Sequence, residues 1–301
     1  MHPKLDQLEQ TFKSSILTKI EDRQLDQYQV ELWLKRDDLL HPIISGNKWR
    51  KLKYILDAVL SSGRNTIVSM GGAYSNHLHA LAYAGHVLGL KTIGIIRGEK
   101  PEPLNPTLLD MQQWGMTLKF VSRADFRDFR QFKNWHYLPG LTSEQYWLPE
   151  GGSTALALKG VAELVHEIEI PYDLLCVPCG TGTTLAGIIS ATSEKISVLG
   201  FSALKNPGCL SDDIESLADS PVSDWQIVTD YHFGGFAKKN DQLIAFMENF
   251  EIQTAIPLES VYTGKMMYGI YDLIKKGHFI PGQRIVAIHT GGLQGKRGLN
   301  K

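Results

Sequence analysis

The segment ISGNKWRKLKYIL (residues 44–56) places four cationic side chains, Lys48, Arg50, Lys51 and Lys53, at the start of an apolar helical pattern. Charge runs on helices usually face solvent, and we expect this of Lys53. A lysine buried in a dry pocket has a depressed pKa, and its neutral amine can act as a nucleophile and as a base. Lys51 lies three residues after Lys48, on the adjacent turn, where it can support such a site electrostatically.

A second segment with the residue types of a ligand site is MGGAYSNHLHALAYAG (70–85), where an apolar strand ends and a helix begins. Ligands of open α/β sheets bind beyond the carboxyl ends of the strands, where helix N-termini present unpaired N–H groups. The two glycines allow a ligand to approach the backbone closely. The amides at 75–77 can hold a carboxylate or a phosphate, although Ser75 could equally be an ordinary N-cap.

Two more loops share this strand-to-helix position. VPCGTGTTLAGI (177–188) combines several N–H groups, hydroxyls and the positive end of a helix dipole, which is typical of a phosphate-binding loop. It matches neither GxGxxG nor GxxxxGKS/T, and no strand-end acidic residue follows about twenty positions later, so a lone phosphate is favoured over a dinucleotide. AIHTGGLQG (287–295) places Thr290 beside a Gly-Gly pair, which could also be only a strand-ending turn.

Short apolar runs alternate with longer helical patterns along the chain. The runs include TIVSM (66–70), KTIGII (91–96), DLLCVP (173–178) and RIVAIH (284–289). This alternation predicts an α/β fold with open, mostly parallel, twisted sheets that carry helices on both faces. The loop-rich stretch 139–153 indicates a crossing between two such lobes.

The composition excludes several classes of protein. With 31 Lys+Arg against 32 Asp+Glu the net charge is -1, so we expect no nucleic-acid or membrane partner, but a small-molecule one. No apolar run reaches the length of a membrane span and no secretory leader is evident, which favours a cytoplasmic protein. The CxxC of Cys176 and Cys179 lacks a partner motif and His77 and His79 are two residues apart, so we expect no metal site.

Taken in order, six segments resemble the pyridoxal-phosphate enzymes of the tryptophan-synthase-β type, and most closely the branch of 1-aminocyclopropane-1-carboxylate deaminase and D-cysteine desulfhydrase. The resemblance implies the two-sheet fold of that family, with a larger domain of residues 1–50 and 152–301, a smaller domain of residues 51–151, and an active site in the cleft between them. It also implies a homodimer. The matching segments are SGNKWRKL (45–52), GGAYSNH (71–77), PEGGS (149–153), GTGTT (180–184), VYTGK (261–265) and HTGG (289–292).

The resemblance also implies roles for individual residues. Lys48 carries pyridoxal 5'-phosphate as a Schiff base, and Asn76 bonds the 3-oxygen of its ring. Ser75 and the amides near His77 receive the substrate carboxylate, and Ser75 and Tyr262 take part in catalysis. The full set of implied residues is Lys48, Ser75 and Tyr262 for catalysis; Lys48, Asn76, Cys179, Gly180, Thr181, Gly182, Thr183, Thr184, Thr263 and Thr290 for the cofactor; and Ser75, Asn76, His77, Phe236 and Tyr262 for the substrate.

Four features bear on the reaction within the family. Thr263 stands where the deaminases have glutamate and Thr290 where they have leucine, and both changes favour β-elimination from D-cysteine to pyruvate, ammonia and sulfide. Phe236 departs from both groups because it lies where a second active-site tyrosine is usual. The tail LQGKRGLNK (293–301) departs from the family's Pro-Ala-Leu-like continuation.

Three alternatives stay open from the sequence. The chain could catalyse another pyridoxal-phosphate reaction, the opening of 1-aminocyclopropane-1-carboxylate above all. It could bind the cofactor without turnover, which the phenylalanine at 236 would favour. The strand–helix alternation alone would also fit an NAD-binding oxidoreductase, but the missing GxGxxG pattern argues against it.

Overall fold

The computed structural model describes residues 1–132, 140–206, 208, 210–218 and 223–298. In this part of the chain ten β-strands and eleven α-helices form. The strands are β1 (Leu17–Lys19), β2 (Glu31–Lys35), β3 (Thr66–Gly71), β4 (Lys91–Arg97), β5 (Thr117–Val121), β6 (Gln145–Leu148), β7 (Leu174–Cys179), β8 (Ser197–Ser202), β9 (Trp225–Val228) and β10 (Arg284–Ile288). The helices are α1 (Pro3–Glu9), α2 (Arg23–Gln27), α3 (Asn47–Ser61), α4 (Asn76–Leu88), α5 (Pro106–Gln113), α6 (Arg123–Phe129), α7 (Ala155–His166), α8 (Thr183–Ala191), α9 (Leu210–Leu217), α10 (Asp241–Thr254) and α11 (Thr263–Lys275).

The strands form two sheets. The order of the first is β1-β2-β10-β7-β8-β9, and only its edge strand β1 pairs antiparallel to its neighbour among the described pairs. The order of the second is β5-β4-β3-β6, and its described pairs are all parallel. The prediction of two mostly parallel sheets in an α/β fold is therefore confirmed.

Strand β7 illustrates why the first sheet needs helices on both faces. Every residue from Leu174 to Cys179 is buried, as expected of a strand that is covered on both sides. Leu174 and Cys176 belong to a core that includes residues of α11, whereas Leu175, Val177 and Cys179 belong to a second core with residues of α8. The two thiols of the CxxC thus point to opposite faces, since they are three residues apart on a strand.

The second sheet is covered in the same way. Val68 and Met70 of β3 pack with Phe126 of α6 on one face, while Ser69 bonds to His77 of α4 on the other. Helix α4 is delimited by its own sequence: Ser75 is the N-cap, and Gly89 ends the helix in the left-handed conformation at φ 71°.

The chain divides into two compact units. Unit 1 comprises Met1–Lys13, His41–Gly160 and Gln294–Lys301, and unit 2 comprises Ser14–Leu40 and Val161–Leu293. The two domains that the resemblance implies, residues 1–50 with 152–301 and residues 51–151, stay a prediction. Helix α3 lies wholly in unit 1, where the His2 N–H donates to Asp57 of that helix at 2.6 Å.

Among the helices of the described residues, none has an apolar stretch of membrane-spanning length.

Candidate active site

The loops singled out in the sequence follow strands where the strand order reverses. In unit 1, β3 lies between β4 and β6, and the loops after β3 and β6 hold GGAYSNH and PEGGS. In unit 2, β7 lies between β10 and β8, and the loops after β7 and β10 hold GTGTT and HTGG. Such reversals are where α/β sheets bind ligands.

Lys48 is the second residue of α3. The helix starts after Gly46, whose φ of 63° and ψ of -149° lie in a region that is open essentially to glycine. The apolar side chains of Leu52, Ile55 and Leu56 are fully buried and fix the face of the helix that meets the core. Lys48 itself is partly buried, and its Nζ donates to Asn47 Oδ1 at 3.0 Å.

The other cations of this helix are buried. Arg50 and Lys51 are each 3% exposed, and Lys51 Nζ donates to the carbonyl oxygen of Gly151 at 3.0 Å. The prediction that Lys53 faces solvent is wrong: it is 7% exposed and forms a 2.6 Å ion pair with Glu9. The reason is that the N-terminal helix α1 packs against α3, which local charge patterning could not reveal.

Ser75 caps helix α4, so its interpretation as an N-cap is confirmed. Its Oγ accepts the N–H of Leu78 at 3.2 Å, which leaves its hydroxyl proton available for a second partner. The side-chain Oδ1 of Asn76 accepts from Gln294 Nε2 at 2.6 Å. Asn76 therefore keeps its two side-chain N–H donors for another acceptor.

His77 turns its ring into unit 1. Ser69 Oγ donates to the carbonyl of Leu148 at 2.8 Å and so accepts from His77 Nε2, also at 2.8 Å. Burial, then the charges of Lys48 and Lys51, hold the pKa of His77 well below its usual range. The neutral ring thus has a bare Nδ1, which is buried without a hydrogen-bond partner among the described residues. Only the backbone amide of His77 suits the carboxylate role that the resemblance gave it.

The GTGTT loop connects β7 to α8. Cys179 ends β7 with its thiol in the core, and Gly182 takes φ 77° just before α8 begins at Thr183. The hydroxyls of Thr181 and Thr183 lie 3.1 Å apart, and Thr183 and Thr184 are buried. The loop therefore brings hydroxyls to the positive end of a helix, as an anion requires.

Tyr262 lies against this loop within unit 2. A Cβ added at Gly180 would come within 3.0 Å of the Tyr262 hydroxyl oxygen, so the glycine is what lets the ring approach. The ring of Phe236 meets that of Tyr262 edge-on, with centroids 5.9 Å apart. Phe236 is 55% exposed.

Thr263 is held by a carboxylate that the sequence interpretation missed. Glu259 accepts the backbone N–H groups of Val261, Tyr262 and Thr263, each at 2.7 Å, and so satisfies the start of α11. The Thr263 hydroxyl accepts the N–H of Glu259 at 3.0 Å and donates to its carboxylate at 3.3 Å. Its proton is thus committed within the protein.

Thr290 follows β10 and is 7% exposed. The preceding residue, His289, is fully buried. Its Nε2 donates to the carbonyl of Pro257 at 2.8 Å, and its Nδ1 accepts from the N–H of Gly291 at 3.3 Å. These bonds fix the turn on both sides of Thr290.

Lys265 is a second buried charge that the sequence interpretation missed. It is 2% exposed, and its Nζ donates to the carbonyls of His232 and Gly235, each at 2.8 Å. The loop that it holds carries Phe236 and has positive φ at Phe233, Gly234, Gly235 and Ala237. Lys265 therefore fixes the loop opposite Tyr262.

Replacement of Lys265 by methionine should change how stability depends on pH. Burial lowers the pKa of Lys265 from 10.5 to about 8, partly offset by the charge of Glu259. Between those two values the unfolded chain keeps a proton that the folded chain has released, so rising pH favours the folded protein. The free energy of unfolding of the unsubstituted protein should rise relative to that of Lys265→Met between pH 8 and 10. Lys91→Met, which removes an exposed lysine, is the control, and equal trends in the two variants would contradict the assignment.

Two further observations concern metal sites and cavities. In the described ranges, no three His, Cys, Asp or Glu side chains come together to hold a metal ion. A cavity of about 230 Å³ in unit 2 is lined by residues that include Phe246, Tyr268 and Tyr271, but by none of the motif residues.

Comparisons with known proteins point to the same family that the motif segments resemble. A family model described as "Pyridoxal-phosphate dependent enzyme" matches residues 17–291. A putative 1-aminocyclopropane-1-carboxylate deaminase of Pyrococcus horikoshii is 30% identical over 286 residues, covering 88% of this chain and 85% of that protein. A mitochondrial protein of Arabidopsis thaliana, named as a bifunctional D-cysteine desulfhydrase/1-aminocyclopropane-1-carboxylate deaminase, is 30% identical over 292 residues, covering 88% and 73%.

A solved structure shows the same fold. The crystal structure of a 1-aminocyclopropane-1-carboxylate deaminase homologue superposes with a TM-score of 0.79 at 25% identity, covering 98% of this chain and 97% of that one. The family model spans most of the chain and includes five of the six motif segments whole, together with most of the sixth, HTGG. The chain therefore belongs to the family of pyridoxal-phosphate-dependent enzymes, as the resemblance of its motifs implied.

Proposed function

We propose that this enzyme eliminates the β-substituent of a small D-amino acid, with D-cysteine as the substrate that fits best. The overall change is D-cysteine plus water to pyruvate, ammonia and hydrogen sulfide. The observation that carries the proposal is that hydroxyl residues, Thr263 and Thr290, occupy the two motif positions at which, by the resemblance, the cyclopropane-opening deaminases carry glutamate and leucine.

The residues of each unit fit the cofactor. In unit 1, Lys48 offers an amine and Asn76 offers side-chain N–H donors, which an anionic ring oxygen needs. In unit 2, the loop from Cys179 to Thr184 offers amides and hydroxyls at the start of α8, and a Cβ at Gly180 would fill space next to Tyr262. We propose these groups for the amine linkage, the 3-oxygen and the phosphate.

The ring nitrogen of the cofactor is assigned to Thr290 rather than to Thr263. The proton of the Thr263 hydroxyl is committed to Glu259, whereas a pyridine nitrogen needs a donor. The neutral hydroxyl of Thr290 leaves the ring nitrogen less positive than the glutamate of the deaminases would. The ring is therefore a weaker electron sink. Loss of a thiolate needs less stabilisation of negative charge by the ring than the opening of a cyclopropane does. A hydroxyl in place of the glutamate therefore favours elimination.

The protein groups have separate tasks in this proposal. When bound, the cofactor supplies a conjugated ring that delocalises the electron pair left at Cα. Lys48 Nζ removes the Cα proton, as a general base. The substrate carboxylate is bound by the backbone N–H groups of Asn76 and His77 and by the Ser75 hydroxyl. The Tyr262 phenol gives a proton to the departing sulfur, so that hydrogen sulfide leaves.

Cyclopropane opening is the second candidate. It is favoured by the Pyrococcus horikoshii relative, which is named for that activity alone, and by the Arabidopsis thaliana relative, which is named for both. Binding of the cofactor without turnover is the third, because Phe236 removes a hydroxyl from the site. The homodimer that the resemblance implies also remains a proposal.

Product analysis tests the proposal. Purified protein loaded with pyridoxal phosphate should release pyruvate, ammonia and sulfide in equal amounts from D-cysteine, with a change in the absorbance of the cofactor. 1-Aminocyclopropane-1-carboxylate, which has four carbons, should give little 2-oxobutyrate, and L-cysteine serves as the stereochemical control. Faster release of 2-oxobutyrate than of pyruvate would favour the second candidate. Absorbance that no amino acid perturbs would favour the third.

A further inference from the structure

The C-terminal segment bonds to helices α4 and α5. Residues Leu293–Gly298 form a 3₁₀ helix, and from Gln294 onwards they belong to unit 1. Gln294 Nε2 donates to Asn76 Oδ1 at 2.6 Å, and Gln294 Oε1 accepts from Thr107 Oγ1 at 2.7 Å. The tail thus joins the first turn of α4 to the first turn of α5.

The donors and acceptors fix which way each amide points. Arg297 Nη2 lies 3.4 Å from Gln294 Oε1, and a guanidinium can only donate. The oxygen of Gln294 must therefore face Arg297 and Thr107, which leaves its NH2 group for Asn76. Since that group can only donate, Asn76 presents its Oδ1 to the tail and its own NH2 to the other side.

Arg297 anchors the tail to the same two helices. Its Nη2 donates to Asp110 Oδ2 at 2.5 Å, and Asp110 also bonds His79 Nε2 at 3.0 Å. Although burial opposes it, the hydrogen bonds from Arg297 and His79 lower the pKa of Asp110. Each of the three helices contributes two residues that are three positions apart and so share a helix face. These pairs are Gln294 and Arg297, Asn76 and His79, and Thr107 and Asp110.

We propose that Gln294 is a positioning residue that orients the side-chain amide of Asn76 so that its N–H donors meet the 3-oxygen of pyridoxal phosphate, with Arg297 as the anchor of the tail. The inference rests on the proposed role of Asn76 toward the cofactor. It assigns a task to the segment in which this chain departs from its family, LQGKRG, because the bonds come from side chains of that segment.

The variant Gln294→Glu tests this with little change of shape. A glutamate keeps both acceptor bonds, to Thr107 and Arg297, but it cannot donate to Asn76 Oδ1. Asn76 would then turn its NH2 group toward the glutamate and present its oxygen to the cofactor. The loss of a bond to a charged oxygen should weaken cofactor binding by about 10- to 100-fold.

The readout is a pair of dissociation constants for the apoprotein, one for pyridoxal phosphate and one for 3-deoxypyridoxal phosphate, which lacks the 3-oxygen. We expect Gln294→Glu to weaken the first and to change the second by less than about threefold. The analogue controls for misfolding, because a damaged protein would lose both ligands. Gln113→Glu, at an exposed position on α5, is the matched control and should leave both constants unchanged.

Each other outcome overturns a distinct claim. Equal weakening of both ligands would mean that Gln294 only supports the structure, and no weakening of either would mean that it does not orient Asn76. The unsubstituted protein must also bind 3-deoxypyridoxal phosphate more weakly than pyridoxal phosphate, because that difference reports the bond to the 3-oxygen. Failure of the unsubstituted protein to bind pyridoxal phosphate at all would overturn the proposed function.

Discussion

A Lys48→Ala variant should lose turnover of D-cysteine by about 10⁴-fold, because one change removes both the amine that holds the cofactor and the base that takes the Cα proton. The fold should persist, since Lys48 is only partly buried and alanine suits the first turn of a helix. Treatment with sodium borohydride should fix the cofactor to the unsubstituted protein, with a matching gain in mass on the peptide that contains residue 48. The variant should show no such gain.

Lys53→Ala is the matched control for this experiment. Lys53 lies on the same helix, carries the same charge and is buried, but it pairs with Glu9 of the N-terminal helix. Its removal should lower stability while cofactor attachment and turnover stay within a few-fold. Attachment of the cofactor to another lysine in Lys48→Ala, with turnover kept, would show that the base and the anchor lie elsewhere.

Local sequence chemistry was enough to predict several of the buried strands and the loops that follow them. TIVSM, DLLCVP and RIVAIH each correspond to a strand of the structure within one residue at either end. This works because a strand buried on both faces needs a continuous apolar run, whatever its neighbours are. Ser75 was recognised as an N-cap for a similar reason: the cap bonds to an N–H only three residues away.

Contacts between distant residues could not be predicted in this way. Lys53 was placed in solvent although it is buried in an ion pair with Glu9, 44 positions earlier in the chain. The bond between Asn76 and Gln294 joins residues 218 positions apart. The charge or amide of one partner gives no sign of the other, so these pairings become visible only when the fold brings them together.

A glycine inside a helix is a long-range signal that the sequence did carry. Gly160 lies in the middle of α7, where glycine costs about 1 kcal/mol relative to alanine, so its presence indicates a close neighbour. That neighbour is the backbone of α3. A Cβ at Gly160 would overlap the carbonyl oxygen of Arg50 and lie 2.9 Å from its carbonyl carbon.

Gly160→Ala should therefore destabilise the protein by about 3 kcal/mol or more, although alanine has a higher helix propensity than glycine. The neighbour is backbone and cannot change rotamer, so α3 or α7 must shift, and Lys48 lies two residues before Arg50 on α3. We expect a lower midpoint of urea unfolding for the apoprotein together with weaker binding of pyridoxal phosphate.

Gly72→Ala separates this clash from the general effect of adding a methyl group. Gly72 has no atom within 4 Å of its would-be Cβ and no positive φ, so its substitution should change the free energy of unfolding by less than about 1 kcal/mol. If Gly160→Ala unfolds at the same urea concentration as Gly72→Ala, then α7 does not press on α3 at Arg50. If instead stability falls while cofactor affinity is kept, the shift of α3 is absorbed away from its N-terminus, and the position of Lys48 is set by Gly46 and the core contacts of Leu52, Ile55 and Leu56 alone.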